Sequence, residues 1–359
     1  MACKGKVAVA LSGGVDSSVV AALLLREGWE VIGATLNFHT AGFGDQGIVG
    51  QAAQAARQLG IEHSVIDCVD EFERLVLRPT WDSYLSGRTP NPCLMCNEKM
   101  KFGVLLDWAL ENGCSALATG HYAIIQRDGD SAALLRGACR NKDQSYFLAG
   151  LVQEQISRLI FPLGGMDKPA VRKIAAEMDL RSAKNKESQD TCFRVPGLSL
   201  QESLRAKFAG AMSEPKCGYI VGRDGKRLAR HDGIHTFTIG QRRGVGVGTG
   251  AKAWVLGLDT ASGDVCLTNQ EEDLLCDEIT VSKLSWTSHE PLVMPLSCDV
   301  QVRYRSAPVA ATLLDVSDGI GRVALHSPVR AVAPGQSAAF YSGDRVLGRG
   351  TIEGRGHSN

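Results

Sequence analysis

The pattern of apolar and polar positions divides the chain into two stretches of different character. In the first, short β-rich apolar runs alternate with segments of helical periodicity. Lys6–Leu11 reads as a strand that ends in a Gly-Gly turn, and Asp16–Glu27 follows as a helix stopped by Gly28. Glu30–Leu36 is a second strand, Gly50–Leu59 a helix and Glu62–Cys68 a third strand. Phe102–Asn112 is a helix stopped by Gly113, and Ala116–Thr119 is a short buried strand. Val152–Ile160 and Pro169–Met178 read as two more helices. Strands that alternate with helices predict an α/β fold, a doubly wound parallel sheet.

The character changes at Pro196-Gly197. After one short helix, Leu200–Phe208, the pattern is β throughout. Gly218–Val221, Thr236–Ile239, Ala253–Leu258 and Asp264–Thr268 predict a small β-rich middle domain. Val300–Arg305, Ala310–Val316, Gly321–His326 and Ser337–Tyr341 predict a C-terminal β-barrel, with Gly354–Asn359 as a loose tail. The expected domains are 1–196, 197–276 and 277–359.

Composition changes this picture little. The chain has 359 residues, enough for two or three domains, with 44% hydrophobic and 22% charged residues. No apolar run approaches the roughly 20 residues needed to span a bilayer. Residues 1–10 read as neither signal nor transit peptide, so the expected location is the cytoplasm, with no membrane partner. Net charge is zero, which does not mark a basic nucleic-acid binder overall. It leaves room for a local basic face, and Gly222–Gly244 carries Arg223, Lys226, Arg227, Arg230, Arg242 and Arg243 against Asp224 and Asp232.

The chemistry begins at Ser12-Gly13-Gly14-Val15-Asp16-Ser17, between the first strand and the first helix. A helix N-terminus offers unpaired backbone N–H groups and the positive end of a dipole, and glycines let a phosphate approach. Asp16 is unexpected in an anion site unless a cation accompanies it, for which Mg²⁺ on a pyrophosphate is the candidate. There is no Walker sequence here and no lysine in the loop. The bland alternative, a Gly-Gly turn capped by Ser17, accounts for the glycines but not for the whole hexapeptide.

Eleven cysteines are an odd number in a chain of this size, which argues against a disulfide framework. Cys3, Cys68, Cys114, Cys139, Cys217, Cys266, Cys276 and Cys298 stand singly and read as small core residues. Cys93 and Cys96, in the Pro-rich turn Asn91-Pro92-Cys93-Leu94-Met95-Cys96, and Cys192, in Ser188–Phe193, have polar and basic neighbours that favour thiolates. A structural zinc half-site is the other reading of C-x-x-C, but no second pair of ligands follows nearby.

The pyrophosphate loop resembles that of the adenine-nucleotide α-hydrolase superfamily, whose members split ATP between the α- and β-phosphates. Over the whole chain the resemblance is to the tRNA-specific 2-thiouridylase family. It is carried by Ser12–Val19, Gly87–Phe102, Thr119–Tyr122, Asn141–Leu148, Ser188–Phe193, His231–Gly248, Arg303–Arg305 and Pro334–Tyr341. The resemblance implies ATP-dependent 2-thiolation of the wobble uridine in a tRNA anticodon loop, fed by an upstream sulfur-donor protein. It implies that Ala10, Leu11, Ser12, Gly13, Gly14, Val15, Asp16, Ser17, Leu36 and Gly120 contact ATP. Cys192 would carry a persulfide with Cys96 as its partner, and Asn91, Pro92 and Cys93 would face the target base. His121, Lys142, Asp143, Gln144, Arg303, Tyr304 and Gln336 would touch tRNA.

Many relatives carry Asp where this chain has Cys93. Cys93, Cys96 and Cys192 could instead hold three irons of a 4Fe–4S cluster whose fourth iron takes hydrosulfide, as in some related tRNA thiolases. Two other readings share parts of the pattern. Another tRNA-adenylating enzyme, such as lysidine synthetase, would need no cysteine. A non-catalytic persulfide or cluster carrier would bind ATP without splitting it.

Overall fold

The computed structural model describes residues 4–38, 47–129, 131–184, 193–195, 197–248 and 252–356. The N-terminal half is built on five parallel strands: β1 (Lys6–Ala10), β2 (Glu30–Asn37), β3 (Glu62–Asp67), β4 (Ala116–Ala118) and β7 (Leu159–Ile160). Their order is β3-β2-β1-β4-β7. β1 is at the centre, and Val7, Ala8 and Val9 are all fully buried. A strand covered on both faces needs a continuous apolar run rather than an alternating one, which is the pattern Lys6–Leu11 shows.

Alternate residues of β1 serve two cores. Val7 and Val9 pack with α1 (Val15–Arg26), α2 (Gly47–Leu59) and α8 (Lys168–Glu177). Ala8 faces a second cluster formed by α3 (Val69–Phe72), α4 (Arg78–Leu85), α5 (Pro92–Met95) and α6 (Leu105–Glu111). The expected doubly wound sheet is therefore present, with helices on both faces.

The middle of the chain, after α9 (Leu200–Phe208), forms a four-stranded sheet ordered β10-β11-β8-β9. Its strands are β8 (Gly218–Val221), β9 (Arg227–His231), β10 (Trp254–Leu258) and β11 (Val265–Thr268). The C-terminal strands are β12 (Leu275–Trp286), β13 (Leu296–Gln301), β14 (Val309–Ser317), β15 (Ile320–Arg330), β16 (Ser337–Ser342) and β17 (Arg345–Gly356). Pairing of β12 with β17 closes these six into the expected barrel. A hairpin from the N-terminal half, β5 (Ala123–Asp128) and β6 (Ser131–Arg136), is hydrogen-bonded to the outside of β17.

Four expectations are corrected. Val152–Ile160 is not one helix: a single turn, α7 (Gln153–Ile156), precedes the edge strand β7. Thr236–Ile239 is not a strand, because a 3₁₀ turn over Ile234–Thr236 leads into irregular chain. Residues 354–356 are not a tail but the end of β17, where Gly356 pairs with Glu278. The C-x-x-C segment is not a loop. Asn91 caps a helix by accepting from Leu94 N (3.4 Å), and Pro92 occupies its first turn. Helical structure then runs unbroken from Pro92 to Glu111, with Cys96–Val104 as a π-helical stretch. Among the singly placed cysteines, Cys68, Cys114 and Cys276 are core residues as expected, but Cys217 is exposed. No described helix is long and apolar enough to cross a membrane.

The middle segment meets the N-terminal one through Trp81 on α4 and His235, whose rings stand edge to face 5.3 Å apart. Both are buried, and neither Trp81 Nε1 nor His235 Nδ1 has a hydrogen-bond partner among the described residues. Burial, with smaller contributions from Arg205 and His231 and against that of Glu202, lowers the His235 pKa to about 4. The folded state thus favours the neutral ring. Its stabilisation is fully present above the unfolded value near 6.5 and is lost as pH falls through the folded value. Chemical denaturation is expected to show a loss of roughly 3 kcal/mol between pH 7 and pH 4 from this ring. His235→Phe should flatten that part of the profile, leaving the contribution of the same sign from buried His121.

Candidate active site

The strand order reverses between β1 and β4, the place where loops at the carboxyl ends of such a sheet diverge to form a crevice. The two loops that line it are Leu11–Gly14 and Thr119–Tyr122. Gly13 adopts φ 71° and presses so closely on Ala52 that an added Cβ would lie 2.7 Å from its N. Ser17 Oγ accepts from Ser12 N (3.2 Å) and donates to Gly14 O (3.2 Å), and Ser18 Oγ donates to Gly14 O (2.9 Å). These bonds shape the turn, while Gly14, which caps α1, has no side chain to answer the first N–H groups of the helix. Ala10, Leu11, Ser12, Gly13, Gly14, Val15, Asp16 and Ser17 are thus one continuous wall, and Ser12 faces solvent. Leu36, near the end of β2, is buried. Gly120 closes the β4 side: a Cβ there would lie 2.9 Å from Asp16 Cβ.

The cation expected beside Asp16 is supplied by the chain itself. Lys168 Nζ donates to both carboxylate oxygens, at 2.8 and 2.7 Å, and Tyr122 OH donates to Oδ1 at 2.8 Å. The Lys168 side chain is 10% exposed and that of Asp16 29%. Lys168 occupies the first turn of α8, where the helix dipole disfavours a positive charge, so Asp16 and the crevice decide its position rather than local preference. Sequence reasoning missed Lys168 and Tyr122 because 152 and 106 residues separate them from Asp16. This donor set fits an ion pair better than a metal site.

The cysteine helix packs against the same crevice. Phe102, in the π-helical stretch that starts at Cys96, contacts the His121 ring at 5.6 Å, and Phe161 contacts it at 5.7 Å. His121 is buried, and its Nδ1 is 2.7 Å from Thr119 Oγ1. Burial first, then Lys101, holds its pKa well below the usual histidine value, so the ring is neutral. Cys96 is 5% exposed, whereas Cys93, on the same helix, is half-buried. Cys192 and its segment lie outside the described residues. Among the described residues no group of three His, Cys, Asp or Glu is placed to hold a metal.

The residues expected to meet tRNA fall into one region. Asn91 and Pro92 begin the cysteine helix. Gln336 reaches from the barrel to donate to Thr89 O (2.7 Å), just before it. Asp143 is spent on its own turn, accepting from Gly137 N (2.9 Å) and Ser145 N (3.0 Å) and pairing with Arg136 (3.4 Å). Gln144 accepts from Tyr122 N (3.0 Å), which ties this turn to the Asp16 crevice. Lys142 lies on the same turn. The Tyr304 ring lies 4.3 Å from that of Phe147, beside exposed Arg303. The basic segment is distributed differently: Arg223 pairs with Asp273 (3.4 Å), Arg227 covers the Tyr219 ring (4.1 Å), and Arg242 and Arg243 are exposed.

Comparison with known proteins matches three family models along the chain. They are a tRNA methyl transferase HUP domain (residues 5–195), a tRNA methyl transferase PRC-barrel domain (206–269) and an aminomethyltransferase beta-barrel domain (276–352). Curated relatives span nearly the full length. A tRNA-specific 2-thiouridylase MnmA of Trichormus variabilis is 42% identical over 97% of this chain and 98% of its own. Those of Parasynechococcus marenigrum and Geobacter metallireducens are 44% and 41% identical, each over 97% of this chain and over 90% and 96% of their own. This chain belongs to the tRNA-specific 2-thiouridylase family. The resemblance read from its separated motifs is therefore borne out.

The Asp16–Lys168 pair is asymmetric, and that sets a stability prediction. Removing one partner of a buried pair costs about 3–5 kcal/mol because the other charge is left desolvated. Lys168 is the more deeply buried partner, so Asp16→Ala should approach that cost. Lys168→Met should cost less, about 1–2 kcal/mol, because the remaining carboxylate is partly hydrated and keeps Tyr122. Urea denaturation of both variants at pH 7 checks the order.

Proposed function

We propose that this 2-thiouridylase family member uses ATP to exchange the C2 oxygen of the tRNA wobble uridine for sulfur. The observation that carries this is the convergence at one crevice of the pyrophosphate loop, the desolvated Lys168 and the helix bearing Cys93 and Cys96. Three domains are expected at 1–196, 197–276 and 277–359, the first holding the chemistry and the others the tRNA.

The C2 oxygen of uracil is a poor leaving group. In the first step it attacks the α-phosphorus of ATP, an O–P bond forms, and pyrophosphate leaves as the α–β bond breaks. Negative charge grows on the departing pyrophosphate, facing the N-terminus of α1. Lys168 supplies the compensating cation by exchanging Asp16 for phosphate, while the Tyr122 hydroxyl stays on the carboxylate.

In the second step sulfur displaces AMP. Cys192 brings a persulfide, and the Cys96 thiolate attacks its inner sulfur. A Cys96–Cys192 disulfide forms and hydrosulfide is freed. Hydrosulfide adds to C2, the C2–O bond breaks, AMP departs, and the remaining S–H proton is lost as C=S forms. The disulfide is then reduced by an external dithiol. The base reaches the crevice by leaving its anticodon stack, at a cost of a few kcal/mol. Arg303 and the Arg242-Arg243 pair, all exposed, are the phosphate contacts that hold the RNA.

The alternative sulfur carrier is a 4Fe–4S cluster on Cys93, Cys96 and Cys192. Cys93 and Cys96 stand three positions apart on one helical turn, which suits a shared ligand set, and the third position lies outside the described residues. Iron content and thiolation measured in anaerobic protein decide between the schemes. Activity in iron-free protein selects the disulfide route, and activity that tracks iron and disappears with Cys93→Ser selects the cluster.

The purified chain, given unmodified tRNA, ATP and a persulfide donor, should release pyrophosphate in step with a nucleoside mass change of oxygen to sulfur. Cys96→Ala should retain pyrophosphate release and lose the sulfur product. A lysidine-type adenylating enzyme would be indifferent to that substitution, and a methyl transferase would add a methyl mass without using ATP. Either result would end the proposal.

Neutralising Arg303, or Arg242 and Arg243 together, should weaken tRNA binding without affecting ATP binding. Each lost phosphate contact should lower the slope of log affinity against log salt by about 0.7–0.9. An unchanged slope would mean that these residues are solvated surface.

A further inference from the structure

The π-helical stretch Cys96–Val104 is held from outside at Asn97, Glu98 and Phe102. A π-helix bonds i to i+5 and widens the turn, so some of its carbonyls look elsewhere for donors. Gln155 Nε2 supplies one, donating to Phe102 O (2.6 Å) and more weakly to Glu98 O (3.4 Å). Asn97, directly after the cysteine and 4% exposed, donates from Nδ2 to Phe147 O (3.1 Å). Glu98 forms an ion pair with Arg349.

Arg349 comes from β17 of the barrel, 251 positions away in sequence. The two side chains are 13% and 17% exposed, and Lys99 Nζ (2.9 Å) is the other cation on Glu98. Burial pushes the Glu98 carboxyl up, but Arg349 and then Lys99 outweigh it and leave the pKa below the usual range, so the pair is ionised. Space around the pair is tight. Gly150 lies against it, and a Cβ there would fall 2.9 Å from Glu98 Oε2 and closer still to Arg349 Nε. Gly150 O in turn accepts from Ser285 Oγ of the barrel strand β12 (3.1 Å).

The same barrel face touches the turn that holds Asn97. The Tyr304 ring lies tilted against that of Phe147, and Tyr146 OH donates to Ser337 O (3.0 Å). The residues flanking Cys96 are therefore fixed by the part of the molecule farthest from it in sequence.

We propose that Arg349 is a positioning residue for Cys96: through the buried pair with Glu98 and the space kept by Gly150, the barrel sets the orientation of the π-helical turn that presents the thiol. The planar guanidinium reaches Glu98 through Nη2 and Thr351 Oγ1 through Nη1 (3.4 Å), so it fixes direction as well as charge, which a lysine does not. The role assigned to the thiol rests on the sulfur-transfer reading above, but its placement does not.

The test uses the full chain and two substitutions outside the reacting groups, Arg349→Lys and Gly150→Ala. The first keeps the charge and loses the planar guanidinium; the second keeps both side chains and pushes them apart. Iodoacetamide labelling of Cys96, separated from Cys93 by fragment-ion mass spectrometry, should accelerate by about tenfold or more in both variants as the turn loosens. Thiolation should slow by about tenfold or more, while tRNA-dependent pyrophosphate release stays within about threefold, since the displaced group acts only in the second step. Thiolation and pyrophosphate release that fall together would mean a merely structural contact and overturn the proposal. Wild-type labelling and thiolation in both variants would overturn it as well. If Arg349→Lys fails to fold, Gly150→Ala decides alone. If the wild type makes no thiouridine at all, the sulfur-transfer reading fails, and the labelling contrast still decides whether Arg349 positions the thiol.

Discussion

An ammonium group taken out of water needs a counter-charge at fixed geometry, and at the head of the parallel sheet Lys168 finds it in Asp16. The pair joins α8 to α1 across the crevice, and Tyr122 adds the loop after β4 to the same carboxylate. Three elements that leave the sheet at different points are thereby fixed to one another. Glycine at 120 follows from this: the β4 loop comes so close to Asp16 that a side chain would part them. Gln144 extends the arrangement, because it holds the Tyr122 backbone from the turn that also carries Lys142.

A second, largely buried pair does for the cysteine helix what the first does for the loop before α1. Glu98 and Arg349 join the cysteine helix to the barrel. The N-terminal half and the barrel are further tied by Arg88 with Glu353 (2.6 Å), Thr89 N with Pro334 O (2.8 Å) and the β6 edge against β17. Both pairs have their partners far apart in sequence. Their worth is in specifying one relative placement rather than in net stability, because the cost of desolvating the charges offsets most of the Coulomb gain.

This division explains what could be read from the sequence. The loop Ser12–Ser17 was legible because strand, glycines and helix start are contiguous, and the local physics of a helix N-terminus acts over a few residues. The parallel sheet was legible from apolar runs such as Val7–Val9, buried on both faces. Lys168 was not legible, because a lysine in the first turn of a helix carries no local signal of the aspartate it meets. Arg349 was hidden for the same reason, and the end of β17 was hidden by its own composition. Gly348, Gly350, Gly354 and Gly356 are poor strand formers, yet the barrel needs several of them: a Cβ at Gly350 would lie 2.8 Å from Val281 Cβ. The helical state of Cys93 and Cys96 was signalled by Asn91 and Pro92 as cap and first-turn residue, a signal outweighed by reading proline as a turn former.

The two halves of the proposed reaction make opposite demands on the same crevice. Adenylation needs positive charge that can be handed to a phosphate, whereas sulfur transfer needs a thiol kept from solvent until an activated carbon is in place. The fold answers with two buried lysine or arginine to carboxylate pairs of different tightness. Asp16 is 29% exposed, so Lys168 can exchange it for an incoming anion without stranding a charge in a dry site. Glu98 is 17% exposed, is shared by two cations and is walled by Gly150, so releasing it from Arg349 costs more. In the proposed reaction the looser pair stands where the phosphate would arrive, and the tighter one beside the thiol that would be held in place. That contrast follows from solvent access together with the second cation and the crowding at Glu98, since the better hydrated a carboxylate is, the less its release costs.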